Sequence, residues 1–92
     1  EYTLENASYA APEQLEGRLP NFASDIYSLA VIAYQMLAGR LPFKFSSPET
    51  LLRAQKDGMS ISPSNLRLDI SRAVDEVLEK ALAYAPSERY PK

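Results

Sequence analysis

The chain has 92 residues, enough for one small domain whose core is only marginally self-sufficient. Its 10 Lys and Arg are scattered singly or beside some of the 12 Asp and Glu, so nucleic-acid binding has no electrostatic footprint. The absence of Cys and His excludes the usual zinc sites, thiol chemistry, His-based triads and disulfide staples from these residues.

Residues Glu1 to Ala11 carry neither a helical period nor clean alternation and read as an extended loop. Pro12 then opens a short helix over 12–17, with Glu13 at its positive end and Gly17 to stop it. Arg18 to Ala23 is a connector with Pro20 and Asn21 as turn residues. The next stretch, SDIYSLAVIAYQMLAGRLPF from Ser24 to Phe43, organises the rest. Its spacing predicts a central helix over 25–38, with Ser24 as N-cap and Gly39 as left-handed C-cap. Ile26, Leu29, Ala30, Ala33 and Leu37 make one apolar face and Tyr27, Val31, Tyr34 and Ala38 a second, while Ser28 and Gln35 share one narrow polar stripe. A helix so apolar belongs inside something. It is not a membrane span, because the run ends at Ala38, well short of the ~20 residues a bilayer needs. It is not a signal peptide, being internal and without a basic region before it.

After Gly39, Leu41, Phe43 and Phe45 alternate around Pro42 in a packed loop. Ser47-Pro48-Glu49 starts, and Gly58 stops, a surface helix over 48–57 with Leu51, Leu52 and Ala54 inward and a Glu49–Arg53 pair. Met59 to Ile70 reads as a loop anchored by Ile61, Leu66 and Leu68. From Ser71, Val74, Val77, Leu78, Ala81 and Leu82 recur at amphipathic spacing, giving a helix over 71–83 with Arg72–Glu76 and Glu76–Lys80 pairs on its wet side. Pro86 ends it, and Ser87 to Lys92 leads toward a further element. With no convincing strand pattern, the fold class is all-α. Without an initiating Met or a polar tail, both ends read as cut from a larger domain.

Three blocks now stand in order: YAAPEQ at Tyr9 to Gln14, the Ser24 to Phe43 stretch, and KALAYAPSERYP at Lys80 to Pro91. Together they resemble the lower half of the C-terminal lobe of a eukaryotic-type Ser/Thr protein kinase, and Gln14 makes them look more like the bacterial members. Residues 1–92 would then be a partial kinase domain, without the N-lobe and the catalytic loop. The resemblance implies that Ala11-Pro12-Glu13 closes the activation segment and that Asn6, Ala7, Ser8, Tyr9 and Ala10 lie where the protein substrate docks. It implies a buried ion pair between Glu13 and Arg89. It also implies that Asp25 accepts hydrogen bonds from the catalytic-loop backbone; read without the resemblance, Asp25 is a helix-terminal carboxylate. Tyr2, Thr3 and Ser8 are candidate phosphorylation sites or ordinary loop residues.

Departures stand beside the match. Glu5-Asn6 occupies the place of the family's Gly-Thr, whose Thr touches the catalytic Asp and Lys; Ala30 replaces a usual Gly and Ala85 a usual Asp.

Phosphoryl transfer in this family needs a Gly-rich loop, a strand Lys, a His-Arg-Asp loop and an Asp-Phe-Gly metal site. None is in the chain, whose only glycines are Gly17, Gly39 and Gly58. No catalytic residue, metal ligand or cofactor site is therefore expected in these 92 residues, and ATP and Mg²⁺ belong to a parent protein. Three readings stay open: a piece of an active cytoplasmic Ser/Thr kinase, a piece of a pseudokinase, which Glu5-Asn6 favours, or a non-catalytic helical interaction module. On the first reading, the face of Ile26, Leu29, Ala33 and Leu37 or its neighbours would meet water in the isolated chain and drive self-association.

Overall fold

In the computed structural model, residues 7–90 are described, and their elements are α1 (Pro12–Leu15), α2 (Phe22–Ala38), α3 (Pro48–Asp57), α4 (Pro63–Leu66), α5 (Arg72–Ala81) and a 3-10 turn at Pro86–Glu88. No strand occurs among the described residues, so the all-α expectation holds.

Each long helix is framed by its own sequence signals. The start of α2 corrects the sequence reading: Asn21, not Ser24, is the N-cap, and the helix begins at Phe22. Asn21 Oδ1 accepts from the Ser24 N–H at 3.0 Å while Ser24 Oγ accepts from the Asn21 N–H at 2.6 Å. This reciprocal box satisfies two otherwise orphaned donors, which Ser24 acting alone could not do. At the far end Gly39 takes φ 75°, and its N–H returns to the Gln35 carbonyl at 2.9 Å. The bounds of α3 are those its signals predict: Ser47 Oγ accepts from Thr50 N–H, Pro48 fills the first turn, and Gly58 closes the helix.

Of the two apolar faces of α2, the core takes Tyr27, Val31 and Tyr34, together with Ala30. Phe43 from the following loop stacks on Tyr27 with ring centroids 6.4 Å apart, and Leu51 of α3 packs in the same core. Burying side chains of this size contributes about 1.5–3 kcal/mol each. Ile26, Ala33 and Leu37 are half-buried, because α5 lies beside them; Ala33 and Leu37 line a shallow apolar groove with Ala73, Val74, Val77 and Leu78. The helix is therefore not enclosed all round. Its outward stripe is Leu29, Ile32 and Met36, with Leu29 62% and Met36 78% exposed.

The segment from Met59 to Ile70 departs furthest from its reading as a loop. It contains α4, opened by Ser62-Pro63 just as Ser47-Pro48 opens α3. A helix of four residues is too short to show a period, and its free N–H groups are capped from a distance: Asp75 of α5 accepts from the Ser64 N–H at 3.0 Å and from the Ser64 hydroxyl. Asp75 is thereby buried, on the side of α5 that also carries Leu78. Of the three anchors, only Ile61 is half-buried, its carbonyl accepting from Tyr34 Oη; Leu66 is marginally exposed and Leu68 fully so. Helix α5 runs from Arg72 to Ala81, shorter than 71–83, and Val77 is half exposed because the groove beside it is open. Among the described residues the ion pairs are Arg67–Asp69 and Arg89–Glu13, so Glu49–Arg53, Arg72–Glu76 and Glu76–Lys80 are not closed; solvated i,i+4 pairs gain too little to hold long side chains together.

Candidate functional site

The polar stripe on α2 explains where the segment ahead of α1 sits. Ser28 Oγ donates to the Tyr9 carbonyl at 2.7 Å, and Tyr9 Oη donates to Gln35 Oε1 at 2.7 Å. The two polar side chains of an otherwise apolar helix thus seat one residue, Tyr9, by its backbone and its ring. From the other side, Gln55 of α3 donates through Nε2 to the Ala10 carbonyl at 3.0 Å. The Ala11 N–H donates to Gln14 Oε1 at 2.9 Å, fixing the entry into α1. Ala7 and Ala10 point into the core, so within Ala7–Ala10 the side chains that reach the surface are the half-buried Ser8 and Tyr9. Asn6, Tyr2 and Thr3 lie outside the described residues.

Directly after this segment, Glu13 meets Arg89. The pair is bidentate, with Nη1 to Oε2 at 2.8 Å and Nη2 to Oε1 at 3.0 Å, and both side chains are almost fully enclosed. A guanidinium fork matches the carboxylate plane, which a lysine could not do. The remaining donors are used as well: Nε bonds the Ala83 carbonyl, Nη1 that of Ala23 and Nη2 that of Tyr84. The guanidinium also lies over the Tyr27 ring, 4.7 Å from its centroid. Burial pushes the Glu13 carboxyl up, but the Arg89 hydrogen bonds, a backbone hydrogen bond and the charges of Arg89 and Arg18 outweigh it and hold the carboxyl below its usual value. Arg89 therefore joins α1, the start of α2 and the link after α5 at one point.

Asp25 stands in the first turn of α2, exposed and without a hydrogen-bond or ion-pair partner among the described residues. The structure brings Glu13, Arg89 and the segment Ala7–Ala10 together, and sets Asp25 apart from them on the solvent side of α2. Sequence reasoning missed Gln55, whose position four residues after Leu51 on the inner face of α3 was the available signal, and it named Ser28 and Gln35 without a role.

Among the described residues no group of three or more acidic, His or Cys side chains suited to a metal occurs. No helix among them is long and apolar enough to cross a membrane. The protein kinase domain family matches residues 3–91. The chain belongs to the protein kinase family. It corresponds to part of the C-terminal lobe of a bacterial-type kinase domain. Serine/threonine-protein kinase Pkn1 of Myxococcus xanthus is 42% identical over 82 residues, covering 89% of this chain and 12% of that protein. Serine/threonine-protein kinase PksC of Streptomyces coelicolor is 36% identical over 83 residues, 90% of this chain and 15% of that protein. Tyrosine-protein kinase MasK of Myxococcus xanthus is 35% identical over 83 residues, 90% of this chain and 13% of that protein. The chain thus spans less than a fifth of the length of these curated relatives.

Proposed function

We propose that this chain is the substrate-platform part of a protein whose whole kinase domain transfers the γ-phosphate of ATP to Ser or Thr hydroxyls of protein substrates. The bidentate, enclosed Glu13–Arg89 pair carries the reading. It pins Glu13, two residues after the segment Ala7–Ala11, to the end of the chain's helical body, and so gives that segment a fixed floor on which an extended substrate can lie. Asn6, Ala7, Ser8, Tyr9 and Ala10 form the docking stretch, with Ser8 and Tyr9 offering the side-chain contacts. Asp25, exposed at the positive end of α2, accepts backbone N–H groups from the catalytic loop of the parent protein. Tyr2, Thr3 and Ser8 are candidate phosphorylation sites on the activation segment.

ATP and Mg²⁺ are held by parts of the parent protein other than these 92 residues, and this chain alone transfers nothing. The kinase domain works in the cytoplasm, where ATP is available. In isolation the chain covers its outward stripe of Leu29, Ile32 and Met36 with a second copy of itself.

The test is phosphotransfer by the full-length protein from radiolabelled ATP to a generic protein substrate, followed by phosphoamino-acid analysis. Label on Ser and Thr supports the reading. Label on Tyr alone corrects the hydroxyl class. No label from a folded full-length protein favours the pseudokinase reading, which rests on Asn6 standing where the family has Thr.

A further inference from the structure

Between Ile26 and Ala38, α2 carries two polar side chains besides its tyrosines, Ser28 and Gln35, and both serve Tyr9. They lie seven residues apart, a rise of about 10.5 Å along the helix. Ser28 holds the Tyr9 carbonyl and Gln35 the Tyr9 hydroxyl, each at 2.7 Å. Tyr9 therefore lies along α2, with its backbone at one turn and the tip of its ring two turns on. Its half-buried ring packs against the core. A tyrosine tied at one end could swing about χ1; tied at both, it cannot change rotamer without breaking a bond. The backbone beside it has further anchors, since the Ala10 N–H donates to the Ala7 carbonyl at 3.1 Å and the Ala10 carbonyl accepts from Gln55 at 3.0 Å. The Gln35 bond adds nothing to that path and acts on the ring alone.

We infer that Ser28 and Gln35 are positioning residues for substrate docking: Ser28 sets the path of the backbone at Tyr9, and Gln35 fixes the tilt of the Tyr9 ring. Ala7 and Ala10 are turned into the core, so within Ala7–Ala10 the Tyr9 ring is the largest side-chain surface a protein substrate can meet. A ring held at both ends shows every substrate the same wall and loses little further freedom when one binds. The two tasks are separable, because one bond ends on the main chain and the other on the phenol. For substrate, this rests on the reading of Ala7–Ala10 as the docking stretch.

The experiment uses the full-length protein with Ser28→Ala, Gln35→Leu, Gln35→Glu and Tyr9→Phe. Ser28→Ala is expected to speed exchange of the Ala10 and Ala11 amides by about 3- to 10-fold, the worth of one lost hydrogen bond, and to leave α5 unchanged. Gln35→Leu keeps that exchange within about twofold but raises the KM for protein substrate by about 3- to 10-fold, while kcat and the KM for ATP stay within about twofold. Gln35→Glu restores the KM, because a carboxylate oxygen accepts the same hydrogen bond. Tyr9→Phe reproduces Gln35→Leu and adds nothing to it in the double variant. Unchanged exchange in Ser28→Ala overturns the role of Ser28. Gln35→Glu as poor as Gln35→Leu, or additive effects of Gln35→Leu and Tyr9→Phe, overturn that of Gln35. A full-length protein that transfers no phosphate overturns the kinase reading instead. Amide exchange and the Tyr9 Cζ NMR resonance, which shifts when Gln35→Leu removes the acceptor, then decide the two roles without activity.

Discussion

Replacing Arg89 by Ala tests the clamp most directly. The substitution removes two hydrogen bonds to Glu13 and those to the carbonyls of Ala23, Ala83 and Tyr84. The decisive loss is not the sum of these bonds but the charge left behind: the Glu13 side chain is 4% exposed, and no other cation among the described residues is paired with it. Stranding one member of a buried pair costs about 3–5 kcal/mol. A domain of this size is stable by about 5–14 kcal/mol, so the variant gives up roughly a fifth or more of its stability. Arg89→Lys loses less, about 1–3 kcal/mol, since the charge stays but the fork does not. The double variant Glu13→Leu, Arg89→Leu is expected to be more stable than Arg89→Ala, because neither charge is then buried alone. Guanidinium titration of the 92-residue chain, followed by the fluorescence of its six Tyr in the absence of Trp, reads all three. A loss under about 1 kcal/mol for Arg89→Ala, or a double variant as unstable as the summed single changes, would refute the argument.

Three further outcomes are expected. The Glu13 carboxyl titrates below its ordinary value of 4.5 in the folded chain, so the unfolded chain binds its proton more readily. The stability it contributes is present above pH 4.5 and is lost as pH falls through the lower folded value; Glu13→Gln flattens this acid limb, and an unchanged limb in an acid titration by circular dichroism would count against the pair. Asp25→Asn leaves stability within about 0.5 kcal/mol, since the side chain is exposed and unpartnered, yet lowers kcat of the full-length protein; unaltered kcat would remove Asp25 from catalytic-loop support. Sedimentation of the isolated chain should show concentration-dependent self-association that Leu29→Lys with Met36→Lys abolishes, and a monomer at high concentration would contradict it.

Much of the chain was legible without coordinates because its signals are local. Ser47, Pro48 and Gly58 bound α3 through their own backbone and side-chain chemistry, and Gly39 ends α2 in the one conformation glycine tolerates best. The two apolar faces of α2 were also readable, since helical spacing alone generates them. Which face would be buried was not. Periodicity says that Tyr27, Val31 and Tyr34 share a side and that Ile26, Leu29, Ala30, Ala33 and Leu37 share another, yet Ala30 is buried with the first. Only the arrival of Phe43, Leu51 and α5 decided that the first is core and that Leu29, Ile32 and Met36 face out.

The sequence by itself determined the helical class, the start of α1, the end of α2, both ends of α3 and the kinase resemblance, because capping, turn chemistry and motif order act between residues close in the chain. Tertiary structure alone decided the joints. Helix α4 exists because Asp75, eleven positions beyond Ser64, satisfies its first turn. Gln55 became a polar bond inside the core because the Ala10 carbonyl, 45 residues away, needed a donor there. Such partners leave no local trace: a buried polar group is stable only where another part of the chain answers it, and that part is chosen by packing.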